Sequence, residues 1–230
     1  MDMEMDFLDL HTDVIDRFRA NQANRVGRLQ ELLMAEWALA SLVAYSESIY
    51  TQSAVLAVQQ LHDYHREAAL LSIRKRPNVS LALTRMACEL ARDTLVFVRN
   101  EKTEGIWIKR EVEKDVYRRM FRFDEKSSPE KGLRNLYKLT SQFGVHGHQA
   151  ITSPVGDTIT ISGKSFIRNS IDEEYILQCF DLNLMSIELF LLAFLERHGK
   201  PLFESTEQSV GEDARKILST ASSLHIKPNA

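Results

Sequence analysis

Four histidines in two close pairs are the residues whose type and spacing best suit chemistry in this chain. His146 and His148 stand in Val-His-Gly-His, after Gly144, which closes a helical stretch. A glycine between two loop imidazoles lets both rings turn toward one metal ion or one phosphate. Two loop histidines bonded to nearby backbone are the plainer account of the same pair. His62 and His65 lie three apart and continue the apolar stripe Val55, Val58, Ala69 and Ile73. That face points inward, where a histidine is normally a core residue with bonded nitrogens. Together His62, His65, His146 and His148 form the one set that could complete a tetrahedral zinc site. No spacing supplies carboxylate partners for their outer nitrogens, so neither a metal nor a cofactor is expected.

A second constellation is Arg85 and Glu89, four apart in a run of small apolar residues, Ala87, Cys88, Leu90 and Ala91. A carboxylate in such a run needs a partner, and Arg85 stands one helical turn away. The pair reads as a structural ion pair, with a preorganised anion or carboxylate site as the sharper alternative. Glu174, Gln178, Asp181 and Glu188 share one stripe of the last helix, which a solvated face explains. Arg74, Lys75 and Arg76, with Arg118, Arg119 and Arg122, read as solvated helix ends and faces, since no aromatic residues interleave with them. The chain carries no phosphate-binding glycine loop, nucleophile elbow, zincin motif or paired Cys-x-x-Cys.

The elements that must position these residues are helical. With 9 glycines and 5 prolines in 230 residues, the chain has few places to turn. Apolar periodicity predicts helices over 6–21, over 24–74 with a break near 45–52, over 79–99 capped by Asn78, and over 107–122. Ser128 and Pro129 open a further helix that stops at Gly144. The strand signal lies in 150–162, where Thr-Ile-Thr-Ile-Ser alternates and Pro154 to Asp157 offers a turn. Ser170 and Glu173 form a capping box that opens the last long helix, closed by Gly199 and Pro201. The expected fold is all-α: a bundle of about six or seven helices with a small β-hairpin inserted before the last long helix. Residues 1–203 form one domain, and 204–230 form a polar tail that is weakly helical, around 212–221, or frayed.

Charge and composition narrow the function classes. Lys and Arg total 29 against 32 Asp and Glu, a formal charge of −3, which gives no global drive toward nucleic acid or anionic lipid. The acidic start, MDMEMDFLDL, lacks the pattern of a signal peptide, and the apolar run 184–195 is short for a membrane span and holds Glu188. A cytoplasmic location without membrane insertion is expected, with Cys88 and Cys179 as buried free thiols.

Two segments, VSLALTRMACELARDTLVFV with its Arg-x-x-x-Glu step and LYKLTSQFGVHGH, resemble an uncharacterised bacterial all-helical family. Members of that family carry only a domain of unknown function and often sit among mobile-element or defence genes. The resemblance implies a helical fold and a polar cluster of Arg85, Glu89, Tyr137, Ser141 and His146; it implies no activity. The expectation is a non-catalytic binding or regulatory module acting through apolar helix faces, as a homodimer, toward an unidentified protein or small ligand. The alternatives are a hydrolase or nuclease-like enzyme built on Arg85, Glu89, Tyr137, Ser141, His146 and His148, and a small-ligand sensor with its pocket between helices. Spatial convergence of Arg85, Glu89, Tyr137 and His146 discriminates the last two from the first.

Overall fold

Apolar residues three and four apart make most of this chain helical, and tertiary packing decides where each helix ends. The computed structural model describes residues 14–46, 50–144, 158–161, 164–167, 173–205, 214 and 216–218. In order they form α1 (14–21), α2 (Ala23–Tyr45), α3 (Gln52–Ile73), α4 (Pro77–Phe97), α5 (Glu101–Ile108), α6 (Lys114–Met120), α7 (Ser128–Gly144), β1 (Thr158–Ile161), β2 (Lys164–Ile167) and α8 (Glu173–Ser205). The all-α class stands.

The bundle is organised around α4 and α8. Helix α4 packs on α3, α7, α8 and α5, while α8 also packs on α2, α3 and α7. Leu32, Leu39 and Leu42 of α2, Val58 and Leu61 of α3, Leu95 of α4, Leu133 of α7 and Phe190 and Phe194 of α8 share one core. Burying each of the two phenylalanines contributes roughly 1.5–3 kcal/mol. Ala54, Ala57, Ala68 and Ala69 on α3 and Ala87, Cys88 and Ala91 on α4 are all buried, and their small side chains allow the close α3–α4 approach. At the α7–α8 crossing, a Cβ on Gly132 would come within 2.8 Å of the Leu189 side chain. Phe18 of α1 docks on Phe180 of α8, their rings 5.2 Å apart. The first part of the helix expected over 6–21, residues 6–13, lies outside the described residues.

Pro77 does end the long N-terminal helical run, by a defined turn. The Arg76 N–H bonds the Leu71 carbonyl and the Lys75 N–H that of Ser72, the paired bonds of a Schellman ending. Lys75 consequently takes φ 58, a left-handed conformation normally left to glycine. Lys75→Gly should therefore raise stability by about 0.5–1 kcal/mol in a urea melt. A neutral or destabilising result would show that the lysine side chain holds the turn. Pro77 occupies the first turn of α4, so the helix starts before Asn78, the expected cap.

Several expected boundaries move. The helix expected over 107–122 is two helices, because Asn100 caps an earlier start by accepting from the Lys102 and Thr103 N–H groups. Turns at 109–112 then separate α5 from α6. The apolar residues Ile108 and Val112 at this break are not buried, being 61% and 86% exposed. Ser127, rather than Ser128, caps α7. Helix α8 does not stop at Gly199 but runs through Pro201 to Ser205, because buried His198 and Leu202 anchor that last stretch in the core. The strand pairing also lies elsewhere than expected: β1 pairs antiparallel with β2, Thr158 opposite Ile167. Residues 150–157, expected to supply the other strand and the turn, lie outside the described residues. Within the expected tail, Ala214 and Leu218 are buried against the core, so this part of 204–230 belongs with the bundle.

Among the described residues α8 is the one helix long and apolar enough to cross a membrane. Half of its apolar stretch is buried in the bundle, and two of its acids are paired: Asp181 with Arg25 at 2.8 Å and Glu188 with Arg28 at 2.8 Å. The acidic line read as a solvated face is thus partly an ion-paired seam between α2 and α8. Cys88 and Cys179 are free and buried, and burial pushes each thiol up to about 12.

Candidate functional site

Helix α4 turns one side to the core and carries a polar row on another. Arg85, Glu89, Arg92 and Asp93 follow at steps of four, three and one, which places them along one side of the helix. The partners of this row come from α7, α5 and α6.

The first half of the row is the cluster that the sequence pointed to. The Arg85 guanidinium donates to the Tyr137 hydroxyl at 3.4 Å, and that hydroxyl donates to Glu89 at 3.3 Å. Arg85 and Glu89 are 3.6 Å apart, and the guanidinium lies 5.4 Å from the centre of the Tyr137 ring. Ser141 is spent locally, its hydroxyl donating to the Tyr137 carbonyl one turn back. His146 and His148 lie outside the described residues. Arg85, Glu89 and Tyr137 therefore converge. The Glu89 side chain is 36% exposed, so Glu89→Ala should cost no more than about 1 kcal/mol in a denaturant melt. A loss several times larger would mean that the pair carries the α4–α7 contact.

The second half of the row is a tighter cluster, absent from the sequence reading. Asp93, 5% exposed, accepts at one oxygen from Arg92 at 2.6 and 2.8 Å. At the other oxygen it accepts from Tyr117 at 2.7 Å and Trp107 at 3.1 Å. Arg92 also donates to the Tyr117 hydroxyl at 2.7 Å. Burial pushes the Asp93 carboxyl above its ordinary range, against the pull of Arg92 and the hydrogen bonds. The Tyr117 phenol is pushed up as well, by burial first and then by Asp93. Asp93 thus ties α5 and α6 to α4 at one point. Its trace in the sequence is position: it stands one turn beyond Glu89 on the same row.

A cleft of about 690 Å³ opens beside this hub, between α3, α4 and the α5–α6 segment. Gln60 and Tyr64 line one wall, Met86, Glu89 and Asp93 another, and Trp107, Arg110, Lys114, Tyr117 and Arg118 a third. Arg118, read from sequence as a solvated charge without aromatic neighbours, here stands beside Trp107 and Tyr117.

The other histidine pair belongs to a different place. His65 is fully buried, with Nδ1 2.7 Å from Glu36 and Nε2 3.0 Å from the Ser186 hydroxyl. Ser186 in turn lies 3.5 Å from the Cys88 sulfur, and Asn183 donates to the His65 carbonyl at 2.8 Å. Carboxylate, imidazole and hydroxyl stand in the order of a hydrolytic triad. Glu36, His65 and Ser186 are each 0% exposed, and Ser186 lines neither the cleft nor the groove beside Trp37, so no substrate carbonyl reaches it. The arrangement satisfies both His65 nitrogens in the core, while the second Glu36 oxygen and the Asn183 side-chain oxygen have no hydrogen-bond partner among the described residues. His62 sits at its edge, its Nδ1 3.9 Å from the second Glu36 oxygen and its ring against Trp37. Glu36 left the same sequence trace as Glu89, a lone carboxylate in an apolar run, Ala-Glu-Trp-Ala-Leu-Ala. Among the described residues no three His, Cys, Asp or Glu side chains are arranged to hold a metal ion.

No known protein family, curated protein or solved structure matches the chain. The reading of the site therefore rests on its geometry.

Proposed function

We propose that this protein is a non-catalytic binding module that takes a small ligand in the cleft between α3, α4 and α5–α6. The observation that carries this reading is the saturated hub at Asp93. Four hydrogen bonds from three side chains fix the cleft walls through contacts within the protein, the preorganisation that binding favours. The volume suits a drug-sized molecule. Catalysis is the weaker reading, because Asp93 has its acceptors filled and the one hydrolytic relay among the described residues is sealed.

The test is a thermal-shift screen of a small-metabolite library against the native chain and Met86→Trp. Met86 lines the cleft and is 41% exposed, so the indole fills space without entering the core. A compound that raises the melting temperature of the native protein and not of the variant supports the reading. Equal shifts in both, or none across the library, reject it.

A second reading, association into a homodimer, is favoured by α2. Met34, Trp37 and Tyr45 are 59%, 57% and 67% exposed along that helix, large apolar side chains that a second copy would cover. Met185 of α8 is also exposed, at 47%. Sedimentation velocity at micromolar concentration should show a dimer that Trp37→Glu dissociates. A native monomer rejects this reading.

A further inference from the structure

We infer that the cleft takes a planar aromatic ring bearing a negative charge; this rests on the cleft being the binding site and adds the class of its ligand. The first argument is charge. Each carboxylate lining the cleft already has a cation: Asp93 has Arg92 at 2.6 Å, Glu89 has Arg85 at 3.6 Å and Glu111 has Lys114 at 3.9 Å. Arg110 and Arg118 also line the cleft, and among the described residues neither is within ion-pairing distance of a carboxylate. The acids are cancelled from within and around the site, and two guanidinium groups remain. Two such groups in one cleft favour an anion there.

The second argument is the ring. Arg110 holds its guanidinium 4.9 Å from the centre of the Trp107 ring, over an aromatic surface in the cleft wall. A flat cation on an indole occupies the position a stacked ligand ring takes, and the contact is worth little at an exposed site. A ligand carrying both features takes its place: its ring stacks on Trp107 and its anion receives Arg110 in exchange for the exposed bond from Arg110 to the Trp107 carbonyl. Across the cleft, Gln60 and Tyr64 stand one turn apart on α3, and their side-chain polar groups have no protein partner among the described residues. They supply a donor and acceptor edge for a ring bearing nitrogen or oxygen.

Two pairs of probes separate charge from ring: indole-3-acetate against tryptamine, and adenosine 5′-monophosphate against adenosine. Binding is followed by isothermal titration calorimetry on the full chain, since the indole probes emit in the same range as Trp107. The anion of each pair should bind about tenfold tighter than its partner, and the margin should shrink as salt rises. Arg110→Ala/Arg118→Ala should erase the margin; both side chains are exposed, and an unchanged melting temperature confirms the fold. The salt series on the protein with both arginines gives the same answer without that variant. Tryptamine or adenosine binding as tightly as its anionic partner overturns the ligand class and leaves the cleft reading intact. Failure of all four probes also overturns the class, while the Met86→Trp screen judges the cleft separately.

Discussion

Asp93→Ala is expected to lower the unfolding free energy by about 3–5 kcal/mol, the cost of removing one partner from a buried ion pair. The carboxylate is 5% exposed, and its loss strips the acceptor from Arg92, Tyr117 and Trp107 together. Arg92, 15% exposed at its side chain, is left as an uncompensated charge. Asp93→Asn should cost less, because an amide oxygen still accepts from Trp107 or Tyr117 while the charge partner of Arg92 is gone. Replacing the pair together, Arg92→Met/Asp93→Leu, should recover much of the loss, since apolar groups of similar volume need no partner. Urea melts of the three variants decide the matter. A cost under about 1 kcal/mol for Asp93→Ala would mean that water already shares the cluster. Because Asp93 joins three helices, Asp93→Ala should also move Trp107 emission toward that of solvated indole before global unfolding.

That hub was out of reach of the sequence for a physical reason. Helical spacing links residues three or four apart, which brought out Arg85 with Glu89 and placed His65 inward. Tyr137 came instead from the resemblance, and it does meet Arg85 and Glu89. The contacts of Asp93 depend on where α5 and α6 break. A continuous helix over 107–122 puts Trp107 and Tyr117 more than two turns apart, whereas the turns at 109–112 let both reach one carboxylate. Periodicity is a poor guide to such breaks in a charged stretch, because polar residues fit a helix surface and a turn equally well. The Glu36–His65–Ser186 contact draws on α2, α3 and α8, separated by 29 and 121 positions, beyond any local pattern. Local rules also failed at Pro201, where buried Leu202 outweighs the terminator. The helical class was legible because it rests on summed local preference, and spacing alone made the site legible only where its residues share one helix.

His198 should make this protein lose stability in mild acid. It is 7% exposed, and burial lowers its imidazole from the usual 6.5 to about 4, with Arg197 and Arg99 adding repulsion. Nε2 lies 3.0 Å from the Leu95 carbonyl, so the neutral ring donates from that nitrogen. Nδ1 is buried and among the described residues has no partner, so a proton arriving there meets no acceptor from them. The unfolded chain binds that proton near pH 6.5 and the folded chain only near pH 4. Stability is therefore complete above about pH 7, falls as the pH drops through 6.5, and levels off below the folded value. The shift of about 2.5 pH units corresponds to about 3 kcal/mol, with a slope of at most about 1.4 kcal/mol per pH unit. Asp93 and Glu130 act in the opposite sense, since burial raises both and the folded chain takes up their protons more readily. Comparison with His198→Gln cancels their share, because both proteins contain them, and the glutamine amide can still donate to Leu95. Urea melts at pH 7.5, 5.5 and 4.5 should show the native protein ahead at neutral pH and its lead shrinking toward pH 4.5. A lead that stays constant across that range would mean that His198 keeps an ordinary affinity for its proton in the folded core.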